Sequence, residues 1–219
     1  MTMLTKSGIF TCAAALLAVF SRVVPAAAHP HVWVDVKTAV VYEAGKIAGF
    51  QHAWTFDEGY ATMAIEGLDR NGDGAYDREE LAELAQVNID GLKEFGYFTY
   101  PKIGEVALNT GAPKDYWLDY TKGILTLHFT LPLADPVLAG AQGFNFQVMD
   151  PSFYIAFELA KDSPVTLAAG APADCKADVS LPADETEDAK RLGDAFLQQF
   201  GGDIGIGMAR IISISCPAS

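Results

Sequence analysis

The chain has 219 residues, a formal net charge of −13 at neutral pH and apolar side chains at half of its positions. That length and apolar content suffice for one domain with a sizeable core. The acidic balance argues against a surface for nucleic acid or anionic membrane and favours attraction of cations. No phosphate loop, dinucleotide fingerprint, Gly-x-Ser-x-Gly elbow or His-Glu-x-x-His helix occurs, so the motifs point away from an enzyme.

In chain order, the first 28 residues read as a secretory signal. Lys6 supplies the charged n-region, Ile9 to Val24 an apolar run interrupted by Arg22, and Ala26-Ala27-Ala28 a cleavage site. The run is too short and broken to favour a spanning helix. No lipoprotein box precedes Cys12, and no other transmembrane candidate is present. Residues 29–219 are therefore expected to form a single periplasmic domain that does not span the membrane. Cleavage removes Lys6 and Arg22 and no acid, so the domain is two charges more negative than the whole chain. Its two cysteines, Cys175 and Cys216, form an even pair, which in an oxidising compartment reads as a disulfide.

The domain opens on His29-Pro30-His31. A cut after Ala28 gives His29 a free α-amine beside its imidazole. That pair, with His31, is suited to chelating a transition metal such as Zn2+, Cu2+, Ni2+ or Co2+. The alternative is that both histidines merely begin a strand. From His31 to Tyr42 the chain is β-rich, Glu43-Ala44-Gly45-Lys46 makes a turn, and Ile47 to Phe56 returns as a second strand. A regular hairpin turning at Ala44-Gly45 pairs residues whose numbers sum to about 89. His52 then lies opposite Lys37, roughly 20 Å from His31 at about 3.3 Å per residue, while Asp57 and Glu58 come close to His31 as third-ligand candidates. His52 alternates with Trp54 and Phe56 and reads as a partly buried, hydrogen-bonded side chain rather than a metal ligand.

Residues 69 to 80 fill every constrained position of a twelve-residue EF-hand loop. Asp69, Asn71 and Asp73 supply side-chain oxygens, and Gly74 makes the sharp turn. Ala75 offers its carbonyl, Asp77 acts directly or through water, and Glu80 closes the site bidentately around Ca2+. Tyr60, Met63, Ala64, Gly67 and Leu68 before the loop, and Leu81, Leu84, Ala85, Leu92 and Phe95 after it, recur at helical spacing. Tyr76 at the eighth loop position departs from the pattern, because a small aliphatic residue usually pairs there with a second loop, and this chain has none. An acidic turn that binds nothing is the competing reading.

Strands then follow at Gly104 to Asn109, Tyr116 to Tyr120, Ile124 to Leu131, Phe144 to Met149, Tyr154 to Leu159 and Val165 to Ala168. Ala173 to Leu181 is a further candidate. His128 lies on a polar face with Thr126 and Thr130, and Asp150-Pro151 ends a strand. Ala189, Leu192, Ala195, Phe196 and Gln199 give Glu185 to Phe200 helical spacing, and Ile211 to Ile214 closes with a short strand. The expected fold is α+β: an antiparallel, sandwich-like β body with an inserted helix–EF-hand loop–helix over 57–96 and a C-terminal helix.

The ordered run His29-Pro30-His31-Val32-Trp33, Trp54-Thr55-Phe56-Asp57, the loop from Leu68 to Gly74, and Asp150-Pro151-Ser152-Phe153-Tyr154 resembles an uncharacterised family of bacterial secreted proteins. Its members are described as the periplasmic component of an ABC-type transport system. The resemblance covers most of the mature chain and implies metal handling beside an inner-membrane permease. It does not imply the two α/β lobes of a solute receptor, since the strand pattern disagrees. Three functions follow as expectations: a periplasmic metal-binding accessory protein held together by calcium, a calcium-stabilised binding or assembly module without a transition metal, and an oxidative copper enzyme built on the N-terminal histidine.

Overall fold

The computed structural model describes residues 31–181 and 210–216. β1 (Val32–Glu43) and β2 (Lys46–Phe56) form the expected hairpin. β1 alternates buried and exposed positions: Val34, Val36 and Val40 are inside, Asp35 and Lys37 outside. That alternation is the two-residue period of a strand with one face covered. Next come α1 (Glu58–Ala64) and α2 (Ala82–Leu92), then β3 (Thr99–Ile103), β4 (Val106–Ala107), β5 (Lys114–Thr121) and β6 (Ile124–Leu138). β7 (Phe144–Val148), β8 (Ile155–Leu159), β9 (Val165–Leu167), β10 (Lys176–Ser180) and β11 (Ile211–Ser215) complete the described order.

The strands make two sheets, one in the order β5-β6-β2-β1-β8 with β9 also on β1, the other β10-β11-β7-β3-β4. Their inner faces meet through Phe50, whose ring centroid lies 4.6 Å from that of Phe146. Trp54, Phe129, Phe144 and Ile212 are fully buried around it. The architecture is a sandwich, with one departure from an all-antiparallel body: β8 and β9 both run parallel to β1.

The α+β expectation is corrected: among the described residues strand far outweighs helix. In place of long helices on both sides of the acidic loop, helix is confined to seven residues of α1 and eleven of α2. α1 stops at Ala64, because Gly67 takes a left-handed φ of 76° that an α-helix does not accommodate. After α2 a 3-10 turn runs into Gly96, Tyr97 and Phe98, all with positive φ, and Thr99 enters β3. The inserted helix–EF-hand–helix is therefore not seen. The C-terminal helix expected at Glu185 to Phe200 lies outside the described residues.

The hairpin register follows the expected arithmetic only near the turn, where Tyr42 pairs Ile47. A bulge between Val41 and Tyr42 shifts it by one, so Val41 meets Gly49 and His52 lies opposite Thr38 rather than Lys37. At Gly49 the β2 backbone passes so close to β6 that a Cβ would collide with the Leu131 carbonyl oxygen. Cys175 and Cys216 flank the β10–β11 pair and are joined as a disulfide.

Candidate functional site

The acidic loop folds onto its own amides. Asp69 accepts from Gly72 N–H at 2.7 Å and Gly74 N–H at 3.0 Å. Asn71 accepts from Asp73 N–H and Asp73 from Ala75 N–H, both at 2.8 Å. Asp77 accepts from Glu79 and Glu80 N–H. Glu80, buried despite its charge, spans the loop: Oε1 accepts from Arg70 and Asn71 N–H, Oε2 from Asp77 N–H. Gly72 and Gly74 take the positive φ values of 72° and 80° that such tight turns require. In this arrangement the carboxylates do not gather into a metal cluster. Among the described residues, no group of three or more His, Cys, Asp and Glu side chains is placed to hold a metal ion. The donor chemistry nonetheless suits a hard cation, because each carboxylate keeps lone pairs beyond those its N–H partners use.

The loop is docked on the sheet through residues that the calcium pattern leaves free. The Tyr76 ring meets that of Tyr120 edge-on at 5.1 Å. The Arg78 guanidinium lies 4.6 Å from the Trp117 centroid, a cation–π contact. Trp117 in turn stacks on His128 at 4.7 Å, and His128 Nε2 is 2.6 Å from Asp119 Oδ1. Tyr76 thus pairs with β5 instead of a second loop, and His128 is held at the β5–β6 pair. Sequence reasoning missed Arg78, Trp117 and Asp119 as partners, because nothing local shows which strand the loop will meet.

His31 sits at the opposite end of the hairpin from its turn. It is exposed, its N–H donates to the Tyr154 carbonyl at 2.8 Å, and its ring lies 4.9 Å from that of Tyr154. Asp57 is brought beside this strand start, as the hairpin arithmetic expects: its N–H donates to the Trp33 carbonyl. Both Asp57 carboxylate oxygens are engaged with backbone, Oδ2 with Trp33 N–H and Oδ1 with Tyr60 N–H, each at 2.9 Å. The second bond caps α1. Asp57 thus clasps two elements together. Glu58 is exposed in the first turn of α1 and does not line the cavity beside His31, and His29 lies outside the described residues.

Asp150 fixes the turn that brings Tyr154 and Ile155 to this end. Its buried carboxylate accepts from Ser152 N–H and hydroxyl and from Tyr154 and Ile155 N–H. Burial alone would raise its pKa, but these hydrogen bonds hold the carboxyl below its ordinary value. The turn they fix carries Phe153 at a φ of +58° and leaves Phe153 and Tyr154 exposed, a strained conformation for a bulky residue. Behind this rim lies a largely apolar cavity of about 660 Å³, lined among others by Trp54, Phe56, Tyr60, Leu92, Tyr154 and Phe157. The segments around His31, Trp54–Asp57 and Asp150–Tyr154, far apart in sequence, meet here.

His52 takes no part in that site. It is buried in the core between Thr38 Oγ1, 3.0 Å from Nδ1, and Thr99 Oγ1, 3.3 Å from Nε2. Burial lowers its pKa to about 3.

A family model described as "Protein of unknown function (DUF1007)" matches residues 12–216. An "Uncharacterized protein" of Haemophilus influenzae is 28% identical over 142 residues, covering 65% of this chain and 68% of that protein. An "Uncharacterized 15.5 kDa protein in trpE 3'region" of Spirochaeta aurantia is 30% identical over 102 residues, covering 45% and 70%. No solved structure matches the chain. No helix among the described residues is long and apolar enough to cross a membrane.

Proposed function

We propose a function for this chain, which belongs to the DUF1007 family of proteins of unknown function: it is a non-enzymatic, extracytoplasmic metal-binding accessory protein of a metal-transport system. Calcium bound by Asp69, Asn71, Asp73, the Ala75 carbonyl, Asp77 and Glu80 pins the loop to β5. A transition metal of the Ni, Co, Zn or Cu type is received at the His29–His31 end and passed to an inner-membrane permease. The observation that carries this reading is the meeting of two remote segments at the strand start that bears exposed His31: Tyr154 bonds to His31 itself, and Asp57 bonds to neighbouring Trp33. A chelate of the His29 α-amine, its imidazole and the His31 imidazole would stand at this rim, open to a docking partner.

The test is calorimetric titration of the mature protein with Ni2+, Co2+, Zn2+ and Cu2+. One of these ions is expected to bind near one per chain, and His29→Ala with His31→Ala to abolish it. Unchanged stoichiometry in the double variant would sink the proposal. A second reading, a calcium-stabilised binding module without a transition metal, draws on the engagement of both Asp57 oxygens by backbone N–H groups. It predicts that calcium alone alters thermal stability.

A further inference from the structure

On the outer face of the first sheet a row of side chains crosses four strands, and one place in the row carries only a methyl group. The backbone register aligns Trp117 of β5, His128 of β6, Ala53 of β2 and Lys37 of β1. The Trp117 and His128 rings stack at 4.7 Å with an interplanar angle of 9°, and the Arg78 guanidinium also lies over Trp117. The stack stops at Ala53. Because β6 lies between β5 and β2, the His128 face turned away from Trp117 looks across Ala53 toward Lys37. No other ring or guanidinium covers that face among the described residues. β6 and β1 are two strand spacings apart, roughly 10 Å. One aromatic ring in contact on both faces takes about 7 to 8 Å. All four residues line a groove of about 520 Å³, within the range of ordinary ligand sites. Solvent reaches it, since the His128 side chain is 27% exposed and Lys37 is exposed.

We infer that this slot binds a small planar aromatic carboxylate, its ring over Ala53 against the free His128 face and its anion at Lys37. A flat ring matches the width of the slot and continues the stack, a geometry that adds to the gain from burial. The apolar stem of Lys37 closes the other side of the ring while its ammonium stays in water. Lys37 is the one lysine or arginine in the lining and makes no ion pair among the described residues. The Gln51 amide, diagonal to Lys37 on β2, also lines the groove and is a second donor for the carboxylate. The acids nearby do not stand against this arrangement. Asp119 is engaged with His128 Nε2 at 2.6 Å, Asp35 is outside the lining, and Asp115 is on β5, three strand spacings or roughly 14 Å from β1. The site uses neither the calcium loop's ligands nor the histidines at the N-terminal end, so it goes beyond the metal-handling reading.

The test uses a matched pair of probes, 2-naphthoate and 2-naphthamide, which share the ring system and differ in charge. Both are titrated into the full mature protein with no metal added, and binding is followed by NMR. The carboxylate is expected to bind one per chain and to shift the backbone amide signals of Ala53 and His128. It is expected to bind roughly threefold tighter than the amide, the scale of an exposed ion pair. Lys37→Met, which keeps the apolar stem, is expected to bring the carboxylate down to the amide's affinity. Ala53→Phe, which puts a ring of the protein's own into the slot, is expected to weaken both probes by at least about tenfold. No binding of the carboxylate, or binding that leaves the Ala53 and His128 signals unmoved, overturns the proposal. So does a carboxylate preference that survives Lys37→Met, or affinity that Ala53→Phe leaves intact. Should Ala53→Phe not fold by circular dichroism, the wild-type shifts and the Lys37→Met comparison decide by the same outcomes.

Discussion

His52 ties the two sheets together as a neutral ring. Thr99 Oγ1 donates to the Tyr97 carbonyl at 2.9 Å, so it accepts from His52, which places the imidazole proton on Nε2. Nδ1 then accepts from Thr38. Protonating Nδ1 would place a positive charge in a dry core. With a folded pKa of about 3 against an ordinary 6.5, the unfolded chain binds the proton first as pH falls. Stability from this residue is complete above pH 6.5 and declines toward pH 3. One group of this kind lowers stability by about 2 kcal/mol between neutral pH and pH 5. Urea unfolding at pH 7.5 and pH 5 checks this, and His52→Gln is expected to flatten much of the dependence. An unaltered slope in that variant would remove His52 as its origin. Asp150 is the second decisive residue. Asp150→Ala leaves three backbone N–H groups of the Ser152–Ile155 turn without their acceptor. The expected loss is at least about 2 kcal/mol, together with release of Tyr154 from His31. Both read out in a thermal unfolding scan and in the His31 ring chemical shifts.

At the scale of elements, the acidic loop is expected to respond to calcium. An extracellular loop of this type has a Kd on the order of 10⁻⁴ to 10⁻³ M. Calcium at about 10 mM therefore stabilises the fold by roughly 1.4 to 2.7 kcal/mol, and Glu80→Gln is expected to erase that gain. Because Arg78 lies over Trp117, calcium is also expected to shift tryptophan emission, and Arg78→Ala to blunt the shift. A calcium response of equal size in Glu80→Gln would place the ion elsewhere. The strands were largely legible from their two-residue alternation: β1, β2, β5 and β7 lie within two residues of their expected limits. The helices were not. Tyr60, Met63, Ala64, Gly67 and Leu68 keep helical spacing, yet Gly67 turns left-handed and breaks the run, a choice that spacing does not encode. β3 was missed because Pro101 lies inside it and reads as a breaker. The register error at His52 has a similar origin, a one-residue bulge that leaves Ala48 of β2 unpaired beside Gly49, where β2 runs close to β6.

For the whole molecule, the disulfide closes a 41-residue separation across the β10–β11 pair. Chain-entropy arguments assign such a closure roughly 2 to 4 kcal/mol, so Cys175→Ser with Cys216→Ser is expected to lower the urea midpoint accordingly. Strand-rich segments were legible in the sequence, but the α+β class and the all-antiparallel body were not the fold that forms. The meeting of His31, Asp57, Asp150 and Trp54 at one end was legible only in part, because hairpin arithmetic reaches Asp57 but does not reach Asp150 or the cavity. Those arrive through β8, whose parallel pairing with β1 is a long-range choice. The most direct test of the metal-handling account is elemental mass spectrometry on protein recovered from the periplasm, with its N-terminus sequenced. The account predicts a chain that starts at His29 and carries calcium plus nearly one equivalent of nickel, cobalt, zinc or copper. A chain carrying calcium alone, and taking up none of those four metals on titration, would contradict it.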